Sequence, residues 1–284
     1  MRCREVLLAV LAFVVLSVSS VSYAQTWGPN ANSFNYYAVD TVAEGGNQFS
    51  LRSATGIGKT IQLGFTAPHD DSLESDDTSG NPVPLALPFP FRYIGQIYTG
   101  AYICTNGTVC LVNDANAAKY NEVLANGSWA WDMTAGGVPR FTDNSPVPAI
   151  MCWQNDMNAI SAQLHFATVA VGGVNEFIVE WRNISYVNST ITSTIWCQAI
   201  LQSSGKIILQ YQTSLSSNDS SDGTADPAVG ICGPDPLGNQ CALACYTAVS
   251  NGDGFPGSGS AITFFPPPPP RSEEHTSELQ SRQS

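Results

Sequence analysis

Apolar and polar residues alternate along several stretches of the chain, which is the pattern of strands with one buried face. The clearest stretch is 85–93, where Leu, Leu, Phe, Phe and Tyr occupy every second position. Segments rich in Gly, Pro, Asn and Ser separate it from similar runs. We predict strong strands at 85–93, 97–104 and 108–112, and weak ones at 34–39 and 60–65. Further strands are predicted at 149–153, 163–171, 176–181, 194–202, 206–212, 228–232, 242–249 and 261–265.

Only one segment has the features of a helix. Residues 113–125 could form a short one, with Asn113 or Asp114 as its cap and Gly127 just past its end. Many short strands with little helix predict an all-β fold, an antiparallel β-sandwich.

The Asn106-Gly107 pair predicts a tight hairpin between strands 97–104 and 108–112. A two-residue turn would set Cys104 opposite Val109 and leave Cys110 on the other face of the sheet. A wider loop would instead allow a Cys104–Cys110 bridge. Hairpin turns are also predicted at 172–173 and 204–205.

The amino terminus has the form of a secretory signal. Arg2 and Arg4 precede an apolar run over 6–16, and Ser22 and Ala24 fit the cleavage rule. The run is too short to span a bilayer comfortably, and no other segment is long and apolar enough. The sequence therefore predicts a signal peptide at 1–24, a secreted or cell-surface protein, and no membrane insertion in the visible chain.

The remaining chain divides by composition. We predict an irregular or β segment at 25–84 that packs on the sandwich, the sandwich itself at 85–265, and a polyproline linker at 266–270. Residues 271–284 resemble the translation of a sequencing adapter, so we exclude them from the fold and expect the natural protein to continue beyond Pro270.

Charge and cysteine content narrow the class of protein. The net charge is −12 and only 12% of residues are charged, which argues against nucleic acid and anionic membranes as partners. Seven cysteines follow the signal, and export makes a disulfide-stabilised domain the expectation. We predict one local bridge within Cys232, Cys241 and Cys245; the odd count leaves at least one cysteine without a partner inside the visible chain.

Candidate sites for ligands are few. Acidic side chains in the loop after 217 suggest a weak calcium site at Asp219, Asp222 and Asp226, since calcium prefers oxygen ligands, although solvated acidic loops are the alternative. Trp153, Trp181 and Trp196 lie in predicted strands and are interpreted as core residues. Trp129 and Trp131 are the best candidates for an exposed contact patch. If the source is a eukaryote, glycans are predicted at Asn126, Asn183, Asn188 and Asn218.

No residue pattern for catalysis emerges. The sequence has no Gly-x-Ser-x-Gly elbow and no His-Glu-x-x-His helix, and Gly58-Lys59-Thr60 lacks the first glycine of a phosphate loop. Paired carboxylates could in principle catalyse glycoside hydrolysis, with Asp132, Asp156, Glu176 and Glu180 as the candidates. Glu180 is interpreted instead as a solvent-facing residue beside a core Trp181. We predict that the protein is not an enzyme and needs no cofactor.

A resemblance to a family rests on ordered motifs between 85 and 232. The stretch Pro88-Phe89-Pro90-Phe91 through Thr105-Asn106-Gly107 is followed by runs at 177–181, 197–201, 205–211 and 228–231. In this order they resemble nidogen-like extracellular domains and their bacterial relatives. Cys104 and Cys197, and the Trp153-Gln154-Asn155-Asp156 run, depart from the family pattern.

The resemblance implies a non-catalytic binding or adhesion module of a secreted or cell-surface protein, with an extracellular protein or glycan as partner. The alternative is an accessory domain, for targeting or carbohydrate binding, of a secreted hydrolase whose catalytic part lies beyond the visible chain. A carbohydrate-binding role would require Trp129 and Trp131 to be exposed and coplanar.

Overall fold

The computed structural model describes residues 26–29, 34–41, 48–52, 54–60, 73–74, 83–126, 139–141, 143–155, 157–158, 163–186, 194–214, 227–246 and 256–268. The predicted signal peptide and the adapter-like tail lie outside these residues. Within the described part of the chain, no helix has the length and apolar character needed to cross a membrane.

The larger of two antiparallel sheets has nine strands among the described residues. Its spatial order is β1 (Thr26–Trp27), β2 (Tyr37–Asp40), β16 (Ser260–Phe265), β13 (Ile207–Thr213), β12 (Ile195–Gln202), β11 (Val174–Tyr186), β10 (Leu164–Val171) and β3 (Lys59–Thr60). The ninth, β9 (Met157–Asn158), pairs with β11.

The smaller sheet has seven strands in the same described part of the chain. Its order is β15 (Gln240–Tyr246), β14 (Ala228–Pro234), β8 (Ala149–Gln154), β7 (Thr108–Val112), β6 (Gln96–Cys104) and β4 (Leu73–Glu74), and β5 (Leu85–Tyr93) also pairs with β6. The helices are a single turn, α1 (Ala54–Ile57), and the ten-residue α2 (Ala117–Asn126). The prediction of an antiparallel all-β fold is confirmed.

Strand β5 shows how the alternation works. Its odd-numbered residues, from Leu85 to Tyr93, are buried, whereas Pro88 and Pro90 are exposed. The pairing of β5 with β6 is interrupted between Ala86 and Phe91, so both prolines stand where no ladder hydrogen bond is made.

The main core lies between the two sheets. Trp153, Trp181 and Tyr211 are among its largest fully buried side chains. Buried hydroxyls in it are satisfied by the backbone: that of Tyr93 donates to the carbonyls of Ala149 and Cys232, at 2.9 and 2.8 Å. Burial of Trp153 and Trp181 was predicted.

The outer face of the smaller sheet is covered by α2. Tyr120 of the helix packs on Tyr102 of β6 and on Phe141, with ring centroids 5.3 and 4.9 Å apart. The helix begins later than predicted because residues 113–116 form a capping turn, in which the Asn113 side chain accepts from the Ala115 and Asn116 amides at 3.1 and 3.2 Å.

The hairpin at Asn106-Gly107 differs from the two-residue prediction. Cys104 pairs with Thr108, so three residues form the loop. The loop is wider because the Asn106 side chain turns inward and its oxygen accepts from the Met157 amide at 2.9 Å. Cys104 and Cys110 consequently lie on the same face, which is the alternative that a wider loop allows.

The predicted local bridge among Cys232, Cys241 and Cys245 is opposed by the strand register. Cys232 joins the cluster under α2, whereas Cys241 and Cys245 join the core between the sheets. The last two are four residues apart on one strand, about 13 Å, beyond the reach of a disulfide. No disulfide joins any two cysteines within the described residues.

Candidate interaction site on the outer face of the larger sheet

The outward-facing side chains of the larger sheet form three parallel rows across its strands. One row, here the polar row, contains His165, Glu180, Gln198 and Gln210 as consecutive register partners. The adjacent row, here the isoleucine row, contains Ile178, Ile200 and Ile208. On its other side Glu176 and Gln202 pair directly.

Residues 48–52 and 54–58, here called the strap, cross this face over the polar row. The Ser50 amide donates to the Gln210 side-chain oxygen at 2.7 Å, and the Ala54 amide donates to a Glu180 carboxylate oxygen at 3.0 Å. Between them, Gln198 donates to the carbonyl of Arg52 at 2.8 Å and accepts from its amide at 3.4 Å. The sheet thus binds the backbone of every second strap residue.

Among the described residues, one ion pair joins a strap side chain to the sheet. The Arg52 guanidinium forms an ion pair with Glu176, whose other carboxylate oxygen accepts from Gln202 at 2.8 Å. The Glu176 side chain is 1% exposed and that of Arg52 25%. Partial burial lowers the pKa of Arg52, which reflects the desolvation that the ion pair must offset.

Apolar contact between strap and sheet is small by comparison. Ala54 is the strap residue in the buried cluster that contains the isoleucine row. The strap ends at Gly58, where a Cβ atom would lie 2.0 Å from the carbonyl oxygen of Phe166, so only glycine fits this close approach. Lys59 and Thr60 then pair with β10 as its edge neighbour.

This site corrects the interpretation of Glu180 as a solvent-facing residue. Glu180 is fully buried under the strap, where Gln198 and the Ala54 amide donate to its carboxylate. Sequence analysis missed the site because its halves are separated by 124 to 160 residues. The signal present in the sequence was Glu and Gln at alternate outward-facing positions of these strands, with isoleucine at the outward-facing positions between them.

The other predicted site residues are not brought together here. Asp219, Asp222 and Asp226 lie outside the described residues, as do Trp129, Trp131, Asn188 and Asn218. Asn126 is the last residue of α2, and Asn183 is exposed at an irregularity of β11, with a positive φ of 56°. The part of the chain that is described contains no group of three potential metal ligands.

We expect Arg52→Ala to release the strap. The substitution leaves Glu176 buried without its cation, a state that opening of the strap relieves by hydration. Amide exchange measured by mass spectrometry or NMR should accelerate at least tenfold at residues 50 and 54, with no change in β12 and β13. Lys119→Ala is the control, because it removes an exposed ion pair with Asp143 elsewhere. Equal protection in both variants would contradict the role of Arg52.

A family model described as NIDO related matches residues 48–266 of the chain. The match begins at the strap and ends just after the last strand of the larger sheet. No curated protein and no solved structure shows significant similarity to the chain.

Proposed function

Because the chain belongs to the NIDO-related family, which suggests an extracellular module of a non-enzymatic type, we propose that it is a binding or adhesion module that receives an extended peptide segment of an extracellular partner. The observation that carries this proposal is the row of side chains that binds the strap through its backbone. In the described structure the chain's own strap occupies that position.

The polar row suits a peptide ligand because its side chains bind backbone groups, which every extended chain has. Gln210, Gln198 and Glu180 contact backbone amides two residues apart, which is the repeat of an extended segment. Backbone contacts give affinity for any such segment. Glu176 adds selectivity for an arginine, since a carboxylate favours a guanidinium partner.

The same contacts make the strap replaceable. Opening it exposes mainly carboxylate and amide groups, which water can hydrate, together with a narrow isoleucine row. Replacement of the strap by a similar segment of another protein therefore costs little free energy. Polar rows beside an apolar one also match the composition of a protein-binding surface.

The proposal is tested with a fluorescein-labelled peptide of residues 47–58. The full chain carrying Arg52→Ala is titrated, and binding is followed by fluorescence anisotropy. We expect saturable binding, at least tenfold tighter than to the unsubstituted chain, whose strap competes in cis. A peptide in which arginine 52 is replaced by alanine should bind at least tenfold more weakly, because it lacks the partner of Glu176.

One control variant and two possible results decide the interpretation. The chain with both Arg52→Ala and Glu176→Gln should lose discrimination between the two peptides while it still binds them through the polar row. Absence of peptide binding by the Arg52→Ala chain, in a sample whose strap amides exchange rapidly, would overturn the proposal. Retained strap protection in that chain would contradict it as well, since the surface would then be permanently covered.

A further inference from the structure

Two cysteines meet in the core between the sheets. Cys152 belongs to β8 of the smaller sheet and Cys197 to β12 of the larger one, and both are fully buried in the main core. The Cys197 thiol lies close enough to Cys152 to raise the pKa of its thiol, together with burial. They are 45 positions apart in sequence and come from opposite layers of the sandwich.

A neighbouring tyrosine holds the two cysteine positions together. Tyr211 is the register partner of Cys197 on β13, and its hydroxyl donates to the carbonyl of Cys152 at 2.8 Å. The ring of Trp153 packs against Tyr211, with centroids 5.9 Å apart. On its other side Cys197 pairs with Trp181. Large rigid rings therefore surround the two cysteines.

We propose that Cys152 and Cys197 form a disulfide that joins the two sheets when the protein folds in an oxidising compartment. This inference goes beyond the proposed function and does not depend on it. Buried cysteine pairs across a sandwich core suit such a cross-link, because both backbones are already held at short range by packing.

The bond forms by thiol–disulfide exchange with a disulfide oxidant, such as a thiol oxidoreductase or oxidised glutathione. One cysteine thiolate attacks the oxidant's disulfide, which forms a mixed disulfide and releases one thiolate of the oxidant. The second cysteine thiolate then attacks the protein sulfur of the mixed disulfide and displaces the oxidant's other thiolate. Two S–H bonds of the protein are lost and one S–S bond forms, while the S–S bond of the oxidant breaks and its two sulfurs take up the two electrons and the two protons to become two thiols. Burial and the Cys197 thiol raise the pKa of Cys152 well above its ordinary value, so exchange precedes closure of the sandwich.

The register favours this pair over the pairing predicted from sequence. Cys241 and Cys245 share one strand, and Cys232 faces the cluster under α2. Cys104 and Cys110 share that outer face but are diagonal neighbours, because Cys104 pairs with Thr108 and Cys110 with Tyr102. Only Cys152 and Cys197 connect the inner faces of opposite sheets among the cysteine contacts described above.

The test is a disulfide map of the full chain secreted into an oxidising medium. The protein is denatured in N-ethylmaleimide without reductant and digested, and the peptides are identified by mass spectrometry. We expect a peptide containing Cys152 linked to one containing Cys197, which disappears on reduction. Recovery of both cysteines as maleimide adducts, or of either one linked to another cysteine, would overturn the proposal.

Thermal unfolding supplies a second measurement. Reduction should lower the Tm of the unsubstituted chain by roughly 10 °C, because the cross-link constrains a long loop of the unfolded chain. The chain with Cys152→Ala and Cys197→Ala should lose most of this response, whereas Cys241→Ala, which removes another buried thiol, should keep it. A response unchanged in the double variant would contradict the cross-link. If the double variant does not fold, the map of the unsubstituted chain decides alone.

Discussion

Trp181→Ala is expected to lower the free energy of unfolding by about 3–5 kcal/mol, the usual range for removal of a buried tryptophan. Trp181 is fully buried in the main core, and its indole N–H donates to the carbonyl of Cys104 at 3.0 Å. That bond connects the larger sheet to the smaller one. The substitution therefore creates a cavity and also removes one donor from a buried carbonyl, which still accepts from the Gly107 amide at 3.2 Å. Denaturant unfolding followed by circular dichroism measures the loss.

Trp196→Ala is the matched control, because it removes the same side chain from a different environment. Trp196 is half-buried, and the guanidinium of Arg182 lies 4.6 Å from its ring centroid. Trp196 was predicted to belong to the core, and its partial exposure is a difference from that prediction. We expect a loss of about 1 kcal/mol, mostly from the cation–π contact. A loss as large as that of Trp181→Ala would contradict this assignment.

Gly107→Ala is expected to lower the free energy of unfolding by about 2–4 kcal/mol. Gly107 has a φ of +74°, and a Cβ atom there would lie 2.3 Å from the carbonyl oxygen of Trp153. The Gly107 carbonyl also accepts from the amides of Cys152 and Trp153, at 2.9 and 3.2 Å. An alanine must therefore displace the loop from β8. Denaturant unfolding gives the magnitude.

Gly172→Ala separates backbone strain from steric displacement. Gly172 has a φ of +59°, but no atom lies within 4 Å of the Cβ position. Its substitution should cost only the strain of a positive φ, about 1–2 kcal/mol. A smaller loss for Gly107→Ala than for Gly172→Ala would show that the loop moves away from β8 without cost.

The strands were largely predictable because their signal is local. The alternation of apolar and polar residues over 85–93 predicted the bounds of β5 correctly. The glycine pair 172–173 likewise predicted the two-residue connection between β10 and β11. Both depend on neighbouring residues only: the period of two in a strand and the positive φ that glycine tolerates. The family resemblance, made on the order of such strands, is confirmed by the family match over residues 48–266.

The length of the hairpin loop at 105–107 could not be predicted from neighbouring residues alone. Asn106-Gly107 favours a two-residue turn by itself. The hydrogen bond from Met157, which is 51 positions away, draws Asn106 inward and adds a third residue to the loop. This shift of the strand register by one residue moves Cys110 from one face of the sheet to the other.

The candidate site required the tertiary structure altogether. Glu180 beside Trp181 has the pattern of an exposed residue next to a buried one, and the strand alternation supports that interpretation. It is buried because the strap, which lies more than 120 positions earlier, covers the outward face. Periodicity assigns a side chain to one face of a sheet, but it carries no information about what packs on that face.

The sequence by itself determined the strand pattern, the fold class and the family, because alternation and turn residues act over a few neighbouring positions. Only the tertiary structure decided that a strap occupies the polar row, that Arg52 pairs with Glu176, and that Cys152 meets Cys197 between the sheets. These contacts join segments separated by 45 to 160 residues. They depend on strand order and register across two sheets, which the pairing of all the strands sets together.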